Sequence, residues 1–146
     1  MNVSQPKILC VDDDPINLKL LEALLVSRGY AVIKAESGRI ALEKISEQKI
    51  DLILLDVMMP EINGFEVCAM IKEEERFRNI PIVMVTALRS KDDRIRGIEA
   101  GADDFISKPF DQGEILARVK MLLKIKDLND RLSFAYDNIN SLIHYG

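Results

Sequence analysis

Short apolar runs alternate along this chain with stretches in which apolar residues recur every three or four positions. The runs are Ile8-Leu9-Cys10-Val11, Ala31-Val32-Ile33-Lys34-Ala35, Leu52-Ile53-Leu54-Leu55, Ile82-Val83-Met84-Val85 and Phe105-Ile106-Ser107. Their length and polar boundaries predict strands over 7–11, 31–35, 52–55, 82–85 and 104–107, with Pro81 at the start of the fourth, where a missing amide is tolerated. Helices are predicted in between. Asp14-Pro15 opens the first, which carries Ile16, Leu20 and Leu24, with Leu21 and Leu25, at helical spacing and ends at Gly29 as a left-handed cap. Ser37 caps a second, bearing Ile40, Ala41 and Ile45. A loop from Val57 to Gly64, marked by Met59-Pro60 and Asn63-Gly64, precedes a third over about 65–75, with Phe65, Ala69 and Ile71 apolar. The polar linker Arg89-Ser90-Lys91-Asp92-Asp93 leads into a fourth helix that ends at Ala100 before Gly101, and a fifth starts near Asp111.

Strands alternating with helices predict a parallel sheet with right-handed crossovers. For five strands the expectation is a flavodoxin-like (βα)5 three-layer α/β sandwich with strand order 2-1-3-4-5. The third strand is apolar on both faces, so it belongs in the middle. Lys34 sends the second strand to one edge, and the mixed pattern of 104–107 sends the fifth to the other. This order sets the ends of strands one and three side by side at the switch point, where open α/β sheets bind ligands.

The fifth helix runs past the end of such a domain. Met121, Ile125, Leu128, Leu132, Ala135, Ile139 and Leu142 follow a 4-3-4-3 spacing, a heptad seam. An extended C-terminal helix pairing with a second copy is the favoured expectation; the alternatives are a helix folded back on its own domain and a frayed end. The expected division is a domain over 1–124 and a helical, coiled-coil-forming linker over 125–146 toward an output domain.

Composition narrows the function. With 146 residues, 48% hydrophobic and 30% charged, the chain is an ordinary globular mix, and its net charge of −4 disfavours nucleic-acid binding by this segment. No run approaches a membrane span, and Met1-Asn2-Val3-Ser4-Gln5-Pro6-Lys7 lacks the apolar stretch of a signal peptide, so a cytoplasmic protein is expected. Cys10 and Cys68 read as reduced core residues. His144, the single histidine, lies in the tail and is a poor phosphotransfer candidate.

Four of the strands end in groups suited to phosphate and a divalent cation: Asp12-Asp13-Asp14, Asp56, Thr86 and Lys108-Pro109. Asp12, Asp13 and Asp56 would crowd together and repel unless a cation relieves them, and their hard oxygens suit Mg2+. Asp56, on the central strand, is the nucleophile candidate, since an aspartate can hold a phosphoryl group as an acyl phosphate. Lys108 would neutralise the transferring oxygens, and Thr86 would donate a hydroxyl hydrogen bond. Asp14 caps the first helix in this reading.

With these residues in view, residues 6–124 resemble the receiver domain of two-component response regulators. The likeness is carried by Ile8-Leu9-Cys10-Val11-Asp12-Asp13-Asp14, Leu54-Leu55-Asp56-Val57-Met58-Met59-Pro60, Val85-Thr86-Ala87 and Ser107-Lys108-Pro109-Phe110 in order, with Gly64 and Gly101-Ala102-Asp103 between. The resemblance implies that Asp56 is the phosphoacceptor, charged by a phosphohistidine on a sensor histidine kinase or phosphotransfer protein. It implies that Asp12, Asp13, Asp56 and the backbone carbonyl of Met58 hold magnesium, and that Thr86 and Lys108 contact the phosphoryl group. It also implies a cis Lys108-Pro109 bond and a switch formed by Thr86 and Phe105. Phosphorylation would then change the face of the fourth helix, fifth strand and fifth helix, which, with the C-terminal helix, is the expected homodimer surface. Apolar Met58 and Leu88, at positions that tune phosphate loss in the family, imply slow dephosphorylation. The tail resembles linkers that join receivers to cyclic-dinucleotide enzymes or histidine kinases. The chain is expected to be a signalling switch and not a turnover enzyme. Two alternatives are a constitutive dimerisation module and a magnesium-dependent phosphohydrolase; the second would need an acid-base aspartate near the nucleophile, where Val57 and Met58 stand.

Overall fold

Leu52–Leu55, apolar at every position, forms the middle strand of the sheet, and all four of its side chains are buried. The computed structural model describes residues 5–145, with the side chains of 143–145 left aside. The leader reading at Met1–Ser4 and the reading of His144 therefore lie outside the described residues. Elements alternate as β1 (Lys7–Val11), α1 (Pro15–Val26), β2 (Ala31–Ala35), α2 (Gly38–Glu47), β3 (Leu52–Leu55), α3 (Gly64–Glu73), β4 (Ile82–Thr86), α4 (Lys91–Ala100), β5 (Asp104–Ser107) and α5 (Gln112–Tyr145). The strands are all parallel, in the expected order β2-β1-β3-β4-β5. Buried side chains form one cluster on each face of this sheet, so the molecule is a three-layer α/β sandwich. Both edges fall where the sequence put them, and Lys34 on edge strand β2 reaches Glu22 of α1 at 3.0 Å.

Local signals explain the ends of the elements. The Asp14 carboxylate accepts the Ile16 amide at 2.9 Å and Pro15 occupies the first turn of α1, so the cap and the fixed φ act together. Ser37 caps α2 and Asn63 with Glu66 forms a capping box on α3. Gly29 and Gly101 take left-handed φ of 90° and 105° just past their helices. The third helix begins one residue earlier and ends two earlier than the periodicity predicted, because its cap is Asn63.

The apolar positions of α1 divide between two sides of the helix. Leu18, Leu21 and Leu25 face the core, whereas Ile16 and Leu20 are 68% and 54% exposed and Leu24 is only partly covered. With apolar residues on most sides of this helix, spacing alone admits two stripes. α5 is an unbroken helix of 34 residues, about 51 Å long at 1.5 Å per residue. Ile115 and Val119 are buried against the sheet, while the heptad residues beyond are exposed rather than folded back. Among the described residues no helix is long and apolar enough to cross a membrane. Cys10 and Cys68 are free and buried.

The two stripes on α1 differ in what truncation does. Leu25→Ala should lower the unfolding free energy by about 2–5 kcal/mol in urea, as for other buried leucines, and Leu20→Ala by less than about 1 kcal/mol. Equal losses would contradict the burial of Leu25 and the exposure of Leu20.

Candidate functional site

β1 and β3 are neighbours in register, Val11 opposite Leu55, so the residues that follow them emerge side by side at the carboxyl edge. The Asp56 amide donates to the Val11 carbonyl at 2.9 Å, continuing the ladder and fixing Asp56 beside Asp12. Asp12 and Asp56 are 3% and 6% exposed; Asp13, the next residue, is open to solvent. One carboxylate oxygen from each of Asp12, Asp13 and Asp56 lies within 4.8 Å of the others.

Lys108 arrives from the far end of β5. Its Nζ sits 2.7 Å from Asp12 Oδ2 and 3.3 Å from Asp56 Oδ2. The Lys108 amide donates to the Thr86 carbonyl at 2.9 Å, tying the end of β5 to that of β4, and the Lys108–Pro109 peptide is cis. Thr86 is buried at the end of β4; its Oγ accepts the Leu88 amide at 3.2 Å, which leaves its own O–H to donate. The Met58 amide donates to Asp56 Oδ1 at 3.3 Å. Phe105, half-buried on β5, is seated against α4: a Cβ at Gly97 would collide with its ring, and the Arg94 guanidinium lies 5.7 Å from the ring centroid.

Burial pushes the Asp56 carboxyl above the ordinary carboxylate range, and the Asp12 charge adds to this against the opposing pull of Lys108 and the Met58 amide. Burial pulls the Lys108 ammonium down, but the hydrogen bond to Asp12 and the charges of Asp56 and Asp12 outweigh it and hold the pKa above the usual lysine value. Three carboxylates against one ammonium leave two negative charges in the crevice. Oxygen donors with that residual charge fit a divalent cation that prefers oxygen, as magnesium does.

Three supporting residues escaped the sequence reading. Asn17 Nδ2 donates to Asp12 Oδ2 at 3.3 Å from the first turn of α1, near enough to Asp12 along the chain for helix geometry to have found it. Arg89 donates to the Lys108 carbonyl at 2.7 Å, a contact that carries no local signal. Gly64, read as a turn residue and as part of the receiver likeness but given no role at the site, lets α3 start directly against the loop that follows Asp56. A Cβ there would collide with the Asp56 carbonyl oxygen and press on Val57 Cα, and the Gly64 amide donates to the Val57 carbonyl at 2.9 Å.

A parallel sheet of this order, with an acidic crevice and a lysine at its switch point, defines a signalling domain of the flavodoxin-like class. The chain belongs to the response regulator receiver domain family, whose pattern matches residues 8–120. It is 45% identical over 126 residues to the response regulator PleD of Caulobacter vibrioides, covering 86% of this chain and 28% of PleD, so it spans less than a third of that relative's length. A response regulator from Chloroflexus aurantiacus superposes with a TM-score of 0.79 at 37% identity, covering 82% of this chain and 98% of that one. The receiver domain of the sensor histidine kinase PA1611 of Pseudomonas aeruginosa superposes at 0.77 with 32% identity, covering 82% and 98%, and that structure has a magnesium ion coordinated in its active-site cleft. The chain is thus a receiver domain of the two-component response regulator type.

The raised Asp56 pKa fixes the sign of one pH effect. Without metal, the stability tied to this carboxyl is full below its unfolded value of about 4 and is lost as pH rises through the raised folded value. Asp56→Asn should therefore raise the metal-free Tm at pH 7, with the gain vanishing below about pH 4, where the unfolded carboxyl is protonated. A lower Tm for the variant at pH 7 would contradict the assigned shift.

Proposed function

We propose that Asp56 accepts a phosphoryl group from a phosphohistidine on a sensor histidine kinase or phosphotransfer protein, in a reaction that uses Mg2+. The supporting observation is the crevice itself: a buried carboxylate at the end of the central strand, 3.3 Å from an ammonium that also holds Asp12 at 2.7 Å. One oxygen of Asp56 would attack phosphorus while the bond to the donor imidazole breaks, leaving an acyl phosphate. Lys108 neutralises charge on the transferring oxygens, and the Thr86 hydroxyl turns to donate to one of them. Magnesium, held by Asp12, Asp13, Asp56 and the Met58 carbonyl, supplies the remaining positive charge.

Exposed Leu20 of α1, with Ala87, Pro109 and Phe110, borders an open groove beside Lys108. An apolar rim next to a charged centre suits a helical donor protein, which would cover the crevice and exclude water during transfer. Thr86 moving toward the phosphate would vacate space beside Phe105, and the ring would follow. Because α4 grips that ring through Gly97 and Arg94, its displacement would shift the face built by α4, β5 and α5. That face and the C-terminal helix would carry the change to a homodimer and to an output domain. Residues 1–124 hold the receiver and 125–146 the helical linker in this reading, and the protein works in the cytoplasm. Its only chemistry is to acquire its own phosphoryl group and lose it slowly.

Incubation with acetyl phosphate and Mg2+ should add one phosphoryl group by intact-mass spectrometry, and Asp56→Asn should add none. The adduct should persist for many minutes or longer, since Met58 and Leu88 cannot orient an attacking water. Labelling that survives Asp56→Asn would refute the acceptor, and decay within seconds would refute the slow hydrolysis.

A further inference from the structure

The stripe of α5 that faces the domain changes character along the helix. Ile115, Val119 and Leu122 are buried, but the positions that continue this stripe are Lys126, Asn129 and Ser133. The neighbouring stripe does the opposite. Met121 and Ile125 are nearly half exposed, and Leu132 and Leu142 reach 69% and 74%. Apolar residues therefore move from the domain side to an unpartnered side as the helix leaves the sheet, which excludes the domain itself as the cover.

The heptad positions identify the partner. The 4-3 alternation places Ile125, Leu132 and Ile139 at a, and Met121, Leu128, Ala135 and Leu142 at d. Isoleucine at two of the three a positions, with leucine at two of the four d positions, leans toward two parallel strands; Leu132 at the middle a position does not discriminate. The flanking positions agree. In a parallel pair, each g residue faces e of the next heptad in the other copy. Lys124 then meets Asn129 and Arg131 meets the ring of Tyr136, a cation against an aromatic face with no like charges opposed. The antiparallel alternative that matches Leu128 with Leu132 brings two Arg131 side chains together at its centre.

We infer that α5 pairs with α5 of a second copy as a parallel, in-register, two-stranded coiled coil running from Met121 to Leu142. The next a position toward the domain is Arg118, and its guanidinium is held 2.9 Å from Asp104 of β5. A charged side chain anchored to its own domain ends the seam there, so the coiled coil begins where the receiver stops. The two receivers then stand at the same end of the pair, on opposite flanks, with their α5 helices adjacent. This gives the proposed dimer its geometry; its part in signalling rests on the receiver reading.

Single cysteines along the full chain test the arrangement. The native thiols do not compete, because burial pushes Cys10 up to about 12 and Cys68 to about 11. Under mild oxidation, Leu128→Cys and Leu142→Cys should each link to themselves about tenfold faster, or more, than Asp137→Cys on the outer face. If either is no faster than Asp137→Cys, or if self-linking is confined to Leu132→Cys at the centre, the parallel pair is wrong. Leu132→Asp should give a monomer by sedimentation and still take up phosphate from acetyl phosphate on Asp56; a dimer that survives this change also overturns the pairing. Self-linked Leu128→Cys and Leu142→Cys in a protein that takes up no phosphate would support the coiled coil and refute the switch alone.

Discussion

Everything in this molecule is arranged around two carboxylates that water alone would keep apart. Asp12 and Asp56 are nearly fully buried at the ends of adjacent strands, and the backbone bond from Asp56 to Val11 leaves them no room to separate. Bringing two like charges together in a poorly hydrated crevice is unfavourable unless opposite charge is supplied. Lys108 supplies part of it from the opposite half of the sheet, which is why β5 must be long enough and the β4–β5 connection firm enough to deliver an ammonium there. The residual negative charge is what suits the crevice to a divalent cation.

The same constraint explains the features around it. Gly64 allows α3 to abut the Asp56 backbone, and Asn17 and the Met58 amide take up carboxylate lone pairs. Thr86 and Phe105 lie on the two strands that run between the crevice and α4. In the proposed switch, a change of charge at Asp56 would therefore be felt one layer away without any long mechanical path. The Arg118–Asp104 pair joins that layer to α5, so the switch face and the root of the tail helix share a strand.

Much of this was legible in the sequence because the signals were redundant. The all-apolar β3, the lysine in β2 and the mixed β5 each fixed a place in the sheet independently, and strand ends carrying Asp12, Asp56, Thr86 and Lys108 could meet only if the strands were parallel. The buried side of α1 was not legible, because Ile16, Leu20 and Leu24 obey helical spacing as well as Leu18, Leu21 and Leu25 do. Only packing distinguishes them, and exposed Leu20 turns out to border the groove beside Lys108. The role of Arg89 was hidden for a different reason: it is a contact across the fold, and no local pattern marks it, while Gly64 was marked as a turn but its closeness to the Asp56 backbone was not.

The claim on which the rest depends is that Asp12, Asp13 and Asp56 act as one charged unit. Calorimetric titration with Mg2+ at neutral pH measures this directly. One ion should bind per chain, and Asp13→Asn, which removes an exposed carboxylate with little effect on the core, should weaken binding by about tenfold or more, as loss of a charged ligand does. Wild-type affinity in both Asp12→Asn and Asp13→Asn would mean that these carboxylates do not form a common site.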